Sequence, residues 1–159
     1  MEAGWSIRKA GVEDMDDLIR LRFALLRTTR GVEKLKDEEV LVEATRHYFA
    51  QEIPAGRFHA WVGVAENRVV ACSGLVPFSR PPMPDTLASL EAYILNMYTE
   101  PQWRGRGIAR ALFLELVRFS RELGVGRLLL HATKDGRPLY ESVGFAPSPT
   151  SMEWMLPRK

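Results

Sequence analysis

The chain has 159 residues, 46% hydrophobic and 26% charged, the make-up of an ordinary folded protein of one domain (1–159) and not of a disordered one. A net charge of +2 argues against nucleic acid, no apolar run is long enough to cross a membrane, and Met1-Glu2-Ala3-Gly4 does not begin a signal peptide. The single cysteine, Cys72, excludes an intrachain disulfide framework and points to a reducing, cytoplasmic setting, while His47, His59 and His131 lack metal-ligand spacing, so no metal is expected.

In chain order, residues 5–10 read as a strand that Gly11 ends. Residues 12–27 read as a helix burying Met15, Leu18, Ile19, Leu25 and Leu26, with Glu13, Asp14, Asp16 and Asp17 at the end where the helix dipole favours acids. A polar connection around Gly31 leads to a second helix at 37–51, with Val40, Leu41, Ala44 and Tyr48 at helical spacing and Pro54-Ala55-Gly56 as its stop. Phe58, Ala60, Val62 and Val64 alternate as a strand, Glu66-Asn67 is a tight turn, and residues 68–76 return as a hairpin. Residues 77–85 hold four prolines and read as a loop that either borders a substrate site or shields a sheet edge. Residues 90–99 form a strand. Residues 127–132 form another, whose Leu128-Leu129-Leu130 run suits parallel pairing with both faces buried. Residues 134–142 are a short helix and 152–156 a final strand. The order is β-α-α-β-β-β-α-β-α-β, an α/β fold with a central mixed sheet flanked by helices.

Between the strand at 90–99 and the next helix lies a turn punctuated by glycine. Pro101 ends the ladder, Gly105 and Gly107 remove side chains where the backbone turns, and Ile108, Ala111, Leu112, Leu116, Phe119 and Leu123 then share one helical face up to a C-cap at Gly124. A helix N-terminus presents unpaired N–H groups and a positive dipole end; with close-approach glycines and Arg104, Arg106 and Arg110 it makes a pyrophosphate cradle. It is not a P-loop, because Ile108-Ala109 follows the last glycine where Lys-Ser/Thr is needed, nor a dinucleotide fingerprint, because Arg110 stands in the third glycine's place. Spacing alone leaves open an ordinary strand-turn-helix with surface arginines.

Gln102-x-x-Gly105-x-Gly107-Ile108-Ala109 resembles the acetyl-CoA motif of the GCN5-related N-acetyltransferase (GNAT) family, and Pro138-Leu139-Tyr140-Glu141-Ser142-Val143-Gly144-Phe145 resembles that family's second signature. The two stand in the family's order, and the resemblance covers residues 90–145; the N-terminal half matches in layout only. It implies a GNAT-like acyl-CoA N-acyltransferase fold in which strands four and five splay and acetyl-CoA, as cosubstrate, lies in the gap. It implies that the backbone of Met97, Tyr98 and Thr99 pairs with the pantetheine arm, with Met97 or Tyr98 donating to the thioester oxygen. The amides of Gln102, Trp103, Arg104, Gly105, Arg106, Gly107 and Ile108 surround the pyrophosphate, with Ala109 and Arg110 nearby. Tyr140 then faces the cofactor sulfur as a general acid; the alternative is a tyrosine packed under the sheet. Glu91 matches a carboxylate base in some relatives, or is a solvated acid at a strand start. Many relatives carry asparagine and alanine where this chain has Thr133 and Gly136; Thr133 retains a hydroxyl for the pantetheine. His131 reads as a buried strand histidine or a proton-transfer group, and Cys72 as an inert strand cysteine. Tyr93 and Asn96 border the same cleft but, on one strand, do not face it equally.

The expected activity is acetyl transfer from acetyl-CoA to a primary amine of a small molecule or an exposed amino group, by direct attack in a ternary complex. Glu33, Asp37, Glu38, Glu39 and Glu43 either draw a cationic acceptor or form a solvated helix face. The alternatives are a non-catalytic acyl-CoA sensor with the same fold and, less well supported, a nucleic-acid binder using the arginine-rich turn. Acceptor specificity is expected in residues 28–51, the 77–85 loop and the C-terminal strand, and a homodimer through edge strands or the C-terminal strand is compatible with the pattern.

Overall fold

The computed structural model describes residues 4–159, so the reading of the chain's first three residues lies outside it. Strand β1 (Trp5–Lys9) leads through a 3-10 turn (Val12–Asp14) into α1 (Met15–Arg30), followed by α2 (Glu38–Glu52), β2 (His59–Ala65), β3 (Arg68–Ser79) and β4 (Leu90–Thr99). A second 3-10 turn (Pro101–Trp103) precedes α3 (Ile108–Leu123), β5 (Arg127–Leu130) and α4 (Arg137–Val143). The strands lie in the order β1-β2-β3-β4-β5; the first four are antiparallel neighbours and β5 runs parallel to β4.

Local chemistry explains the joints. Glu66 and Asn67 both adopt positive φ, 50° and 60°, as the primed turn of a two-residue hairpin requires. The Asp14 carboxylate accepts from Gly11 N (3.0 Å) and from the Arg8 guanidinium (2.7 and 2.9 Å), tying the start of α1 to β1. The hydrogen bonds from Arg8 lead in holding Asp14 below the usual carboxylate range.

The sheet is buried on both faces. Against one face α1 and α2 set Leu18, Ile19, Leu21, Phe23 and Phe49 over Phe58, Ala60, Val62, Val69 and Cys72. Against the other, Ile108, Leu112, Phe113 and Leu116 of α3 and Tyr140 of α4 cover Trp61, Val70, Ala71, Leu75, Ala92 and Ile94.

Several elements differ from the expectations. Helix α1 runs on to Arg30, and its deepest residues are Leu21 and Phe23. Helix α2 turns Thr45 and Phe49 inward and leaves Val40 exposed, because it offers α1 and the sheet a narrow stripe and Val40 lies ~140° around the helix from Thr45. Strand β3 continues through Pro77, which pairs with Ala92 of β4; β2 has already ended opposite Leu75, so the N–H that proline lacks has no ladder to join on that side. Strand β5 is short and at the sheet's edge, so its leucines are half-buried rather than covered on both faces. The final strand does not form: residues 152–156 are irregular, and Met152, Trp154, Met155 and Leu156 are exposed. Prolines at 147, 149 and 157 flank that stretch and remove backbone donors on either side of it.

Candidate active site

The site begins where the sheet opens. Strands β4 and β5 pair only from Glu91↔Arg127 to Ile94↔Leu130; β4 then runs five residues further, to Thr99, without a β5 partner. Its edge there can accept an extended ligand as an added strand. Opposite β3, the pairs Cys72↔Tyr98 and Gly74↔Leu95 place two β4 residues, Asn96 and Met97, against Ser73 alone. This is a bulge, with Asn96 at φ 58°. Asn96 is thereby turned toward α1, while Met97, Tyr98 and Thr99 line a cavity of about 770 Å³.

The next wall is the glycine turn. Gly105 (φ 73°) and Gly107 (φ 87°) are left-handed, a conformation that costs any residue with a Cβ roughly 1–2 kcal/mol. No side chain caps α3; its first bond is Ala111 N to Gly107 O, so the N–H groups of Ile108, Ala109 and Arg110 have no intrahelical partner at the cavity wall. Trp103, Arg104, Gly105 and Gly107 line the cavity; Gln102 and Arg106 do not. Gln102 Nε2 donates to Glu100 (3.0 Å), and Arg106 donates to the Gln102 carbonyl and lies 4.5 Å over the Trp103 ring. Arg104 Nε donates to Thr99 O (2.9 Å).

Buried Glu100 anchors this turn, bonded by Arg20 of α1 (2.5 Å) and by Arg68 of β3. Burial pushes its pKa up, but the bonds from Arg68 and Arg20 outweigh that and hold it below the ordinary value.

The third wall is α4 and the chain before it. Tyr140 is 8% exposed, its ring packed on Phe113 (5.4 Å between centroids) and near Phe145 (6.1 Å), and it lines the cavity. Packing and access are therefore combined in one residue. Burial pushes its phenol up, so Oη carries its proton at neutral pH. Gly136 makes room for that ring: a Cβ there would sit 3.0 Å from it and 3.2 Å from Thr133 Oγ1. Thr133 lines the cavity and accepts from Gly136 N (3.1 Å), securing the start of α4.

Glu91 is elsewhere. It lies at the far end of β4, is 2% exposed, accepts from Arg127 and pairs with Arg80 at 2.8 Å, a contact of charge without hydrogen-bond alignment. The bond from Arg127 leads in lowering its pKa. It does not line the cavity, and a carboxylate held ionised between two guanidinium groups is a poor proton acceptor; it latches β3, β4 and β5 together. His131 is exposed rather than buried, because β5 ends at Leu130; its Nδ1 meets the Tyr93 hydroxyl. Burial pushes the Cys72 thiol up to about 12, and it donates to Asn96 O, which suits an inert residue.

Sequence reasoning did not place Leu25, Lys134 and Asp135 in the site; Thr28 and Thr29 stand at the start of the 28–51 stretch expected to set acceptor specificity and Leu139 within the second motif, and all six line the cavity, Leu25, Thr28 and Thr29 from the last turns of α1. The approach of α1 to β4 is long-range and has no local signal. Among the described residues there is no group of three or more side chains suited to a metal, and no helix long and apolar enough to cross a membrane.

The profile of the acetyltransferase (GNAT) family matches residues 22–145. Human N-acetyltransferase 8B is 30% identical over 88 residues, 54% of this chain and 37% of that protein. The glucosamine 6-phosphate N-acetyltransferase of Trypanosoma brucei brucei is 32% identical over 53 residues, 33% and 36% of the two chains. The chain spans little more than a third of the length of these curated relatives. Among solved structures, a predicted acetyltransferase from Clostridium acetobutylicum, with acetyl-CoA, superposes with a TM-score of 0.85 at 28% identity, covering 95% of this chain and 96% of that one. A GCN5-related N-acetyltransferase from Ralstonia eutropha JMP134 gives 0.85 at 28%, covering 96% and 99%.

Proposed function

Because the chain belongs to the acetyltransferase (GNAT) family, we propose that it transfers an acetyl group from acetyl-CoA to a primary amine of a small molecule or an exposed amino group, by direct attack in a ternary complex. One observation carries this: the unpaired edge of β4, the glycine turn with its uncapped helix and the Tyr140 phenol converge on a single cavity. That convergence also fits the cosubstrate. An extended arm suits the strand edge, and a pyrophosphate suits free N–H groups with Arg104 and Arg110 beside them.

Acetyl-CoA supplies an activated thioester; the chain's residues supply position and protons. In this reading the backbone of Met97, Tyr98 and Thr99 holds the pantetheine arm, with Thr133 across the gap. The N–H of Met97 or Tyr98 donates to the carbonyl oxygen as negative charge grows on it. Aligning amine and thioester in one cleft supplies much of the remaining acceleration. Tyr140 Oη gives its proton to the departing sulfur, a task for which a phenol kept neutral by burial is suited. With Glu91 held in its ion pairs, the acceptor binds as the free amine or loses its proton to water.

Thiol release tests the proposal: enzyme and acetyl-CoA are mixed with a panel of primary amines, and products are weighed by mass spectrometry. Amine-dependent release of CoA with an N-acetylated product is expected. Tight binding of acetyl-CoA with no amine-dependent release across all amine classes would make the chain a sensor.

A further inference from the structure

A second cavity, of about 250 Å³, lies on the other side of β4 under α1 and α2. Arg22, Tyr48, Phe49, Phe58, Leu95 and Asn96 line it. Tyr48, Phe49 and Phe58 form an aromatic wall, with Phe49 and Phe58 rings 4.9 Å apart and Tyr48 edge-on to Phe58 at 5.8 Å. Its one charged lining residue is Arg22.

Arg22 is unlike its neighbours on α1. Arg20 pairs with Asp17 and Glu100, and Arg27 pairs with Glu38. Arg22 pairs with no carboxylate among the described residues; its side-chain hydrogen bond goes to Asn96 Oδ1, a neutral amide, at 2.5 Å. A guanidinium stays charged in a protein, and it has five N–H donors in a fork that matches an oxyanion. Burial lowers the Arg22 pKa, the mark of a cation removed from water without a counter-charge. The four acids of α2, which would favour a cationic guest, are engaged elsewhere: Glu38 with Arg27, Glu39 with Lys34, Glu43 with Arg46 and Glu52 with Arg57.

This pocket adjoins the cofactor cavity along two elements. On α1, Leu25 lines the larger cavity three residues after Arg22, on the same helical side. On β4 the bulge turns Asn96 to Arg22, while the next residue, Met97, lines the cofactor side. A group seated on Arg22 is thus held beside the stretch of β4 that faces the thioester.

Building on the transferase reading, we propose that the acceptor is an amine that also carries a carboxylate, that Arg22 receives this carboxylate, and that Tyr48, Phe49 and Phe58 contact an apolar part of the molecule. A lone guanidinium balances one negative charge; a doubly charged phosphate ordinarily draws more cations than the pocket offers. The aromatic lining suits a side chain of amino-acid size.

The test compares matched acceptors with the full chain: phenylalanine, its decarboxylated counterpart phenethylamine, and aminoethyl phosphate. Wild type is expected to favour phenylalanine over phenethylamine by ten-fold or more in kcat/KM. Arg22→Gln should cut that ratio to about two-fold or less, mainly through KM for the carboxylate, and Arg22→Lys should restore part of it. Stabilisation of both variants by CoA, read from thermal unfolding, shows that they fold and keep the cofactor side. N-acetylphenylalanine should raise the melting temperature of the wild-type CoA complex and not that of the Arg22→Gln complex. Equal or better use of phenethylamine, a preference for the phosphate, or stabilisation by CoA with no response to either carboxylate overturns the proposal alone. Absence of any stabilisation by CoA or acetyl-CoA in wild type overturns the transferase reading beneath it.

Discussion

The two cavities that flank β4 are built in opposite ways. The cofactor side is made mostly of backbone: a strand edge, two left-handed glycines and an uncapped helix start, from residues nearly contiguous in sequence between Met97 and Arg110. The pocket proposed for the acceptor is made of side chains: Arg22, Tyr48, Phe58 and Asn96 come from four separate elements or their approaches and meet only because the fold brings them together. Backbone geometry suits a cosubstrate of fixed shape; scattered side chains change freely from one chain to the next, which is where acceptor preference belongs.

Breaking each part separately sharpens this contrast. The largest effect is expected at Tyr140. Tyr140→Phe should lower kcat by about 10²–10⁴, the range for a general acid, and leave acetyl-CoA affinity nearly unchanged in a calorimetric titration. An unchanged kcat would remove Tyr140 from proton transfer and leave it a packing residue. Next comes the turn. Gly107→Ala places a Cβ at φ 87° and should weaken acetyl-CoA binding by about ten-fold, the equivalent of roughly 1–2 kcal/mol of backbone strain. If affinity holds, the left-handed turn is not what shapes the cradle.

The smallest effect on catalysis is expected at Glu91, where the readout is stability. Its folded pKa lies below its unfolded value, so its stabilising contribution is present at neutral pH and is lost as pH falls from about 4 through the folded value. Wild type should lose melting temperature in that acid window. Glu91→Gln should melt lower at neutral pH, lose less on acidification, and retain kcat within a few-fold. A normal melting temperature with a hundred-fold loss of kcat would restore Glu91 as the base.

The same contrast explains what could be read from the amino acids. The bounds of β4, its parallel partner, the turn at Gly105 and Gly107 and the place of Tyr140 were legible because each is encoded within a few residues. The stripe of α2 was not, because Phe49 and Thr45 face inward for reasons set by α1 and Phe58 rather than by helical spacing alone. Strand β3 passed a proline because its neighbour β2 stops first, a fact about register that no local rule contains. Glu91 matched a base by position along a strand, but Arg80 and Arg127, distant in sequence, decide its chemistry. Thr28 and Thr29 entered the site because α1 extends past its apparent stop.

The split between β4 and β5, closed by the Gly105–Gly107 turn, stands or falls as an acetyl-CoA site on one measurement. Thermal unfolding with acetyl-CoA, CoA and ATP, each over a concentration series, tests it most directly. Ligand at a hundred times its dissociation constant adds about 2.7 kcal/mol to the folded state. Stabilisation by acetyl-CoA and by CoA, and not by ATP, is the predicted result; no stabilisation by either CoA species would contradict it.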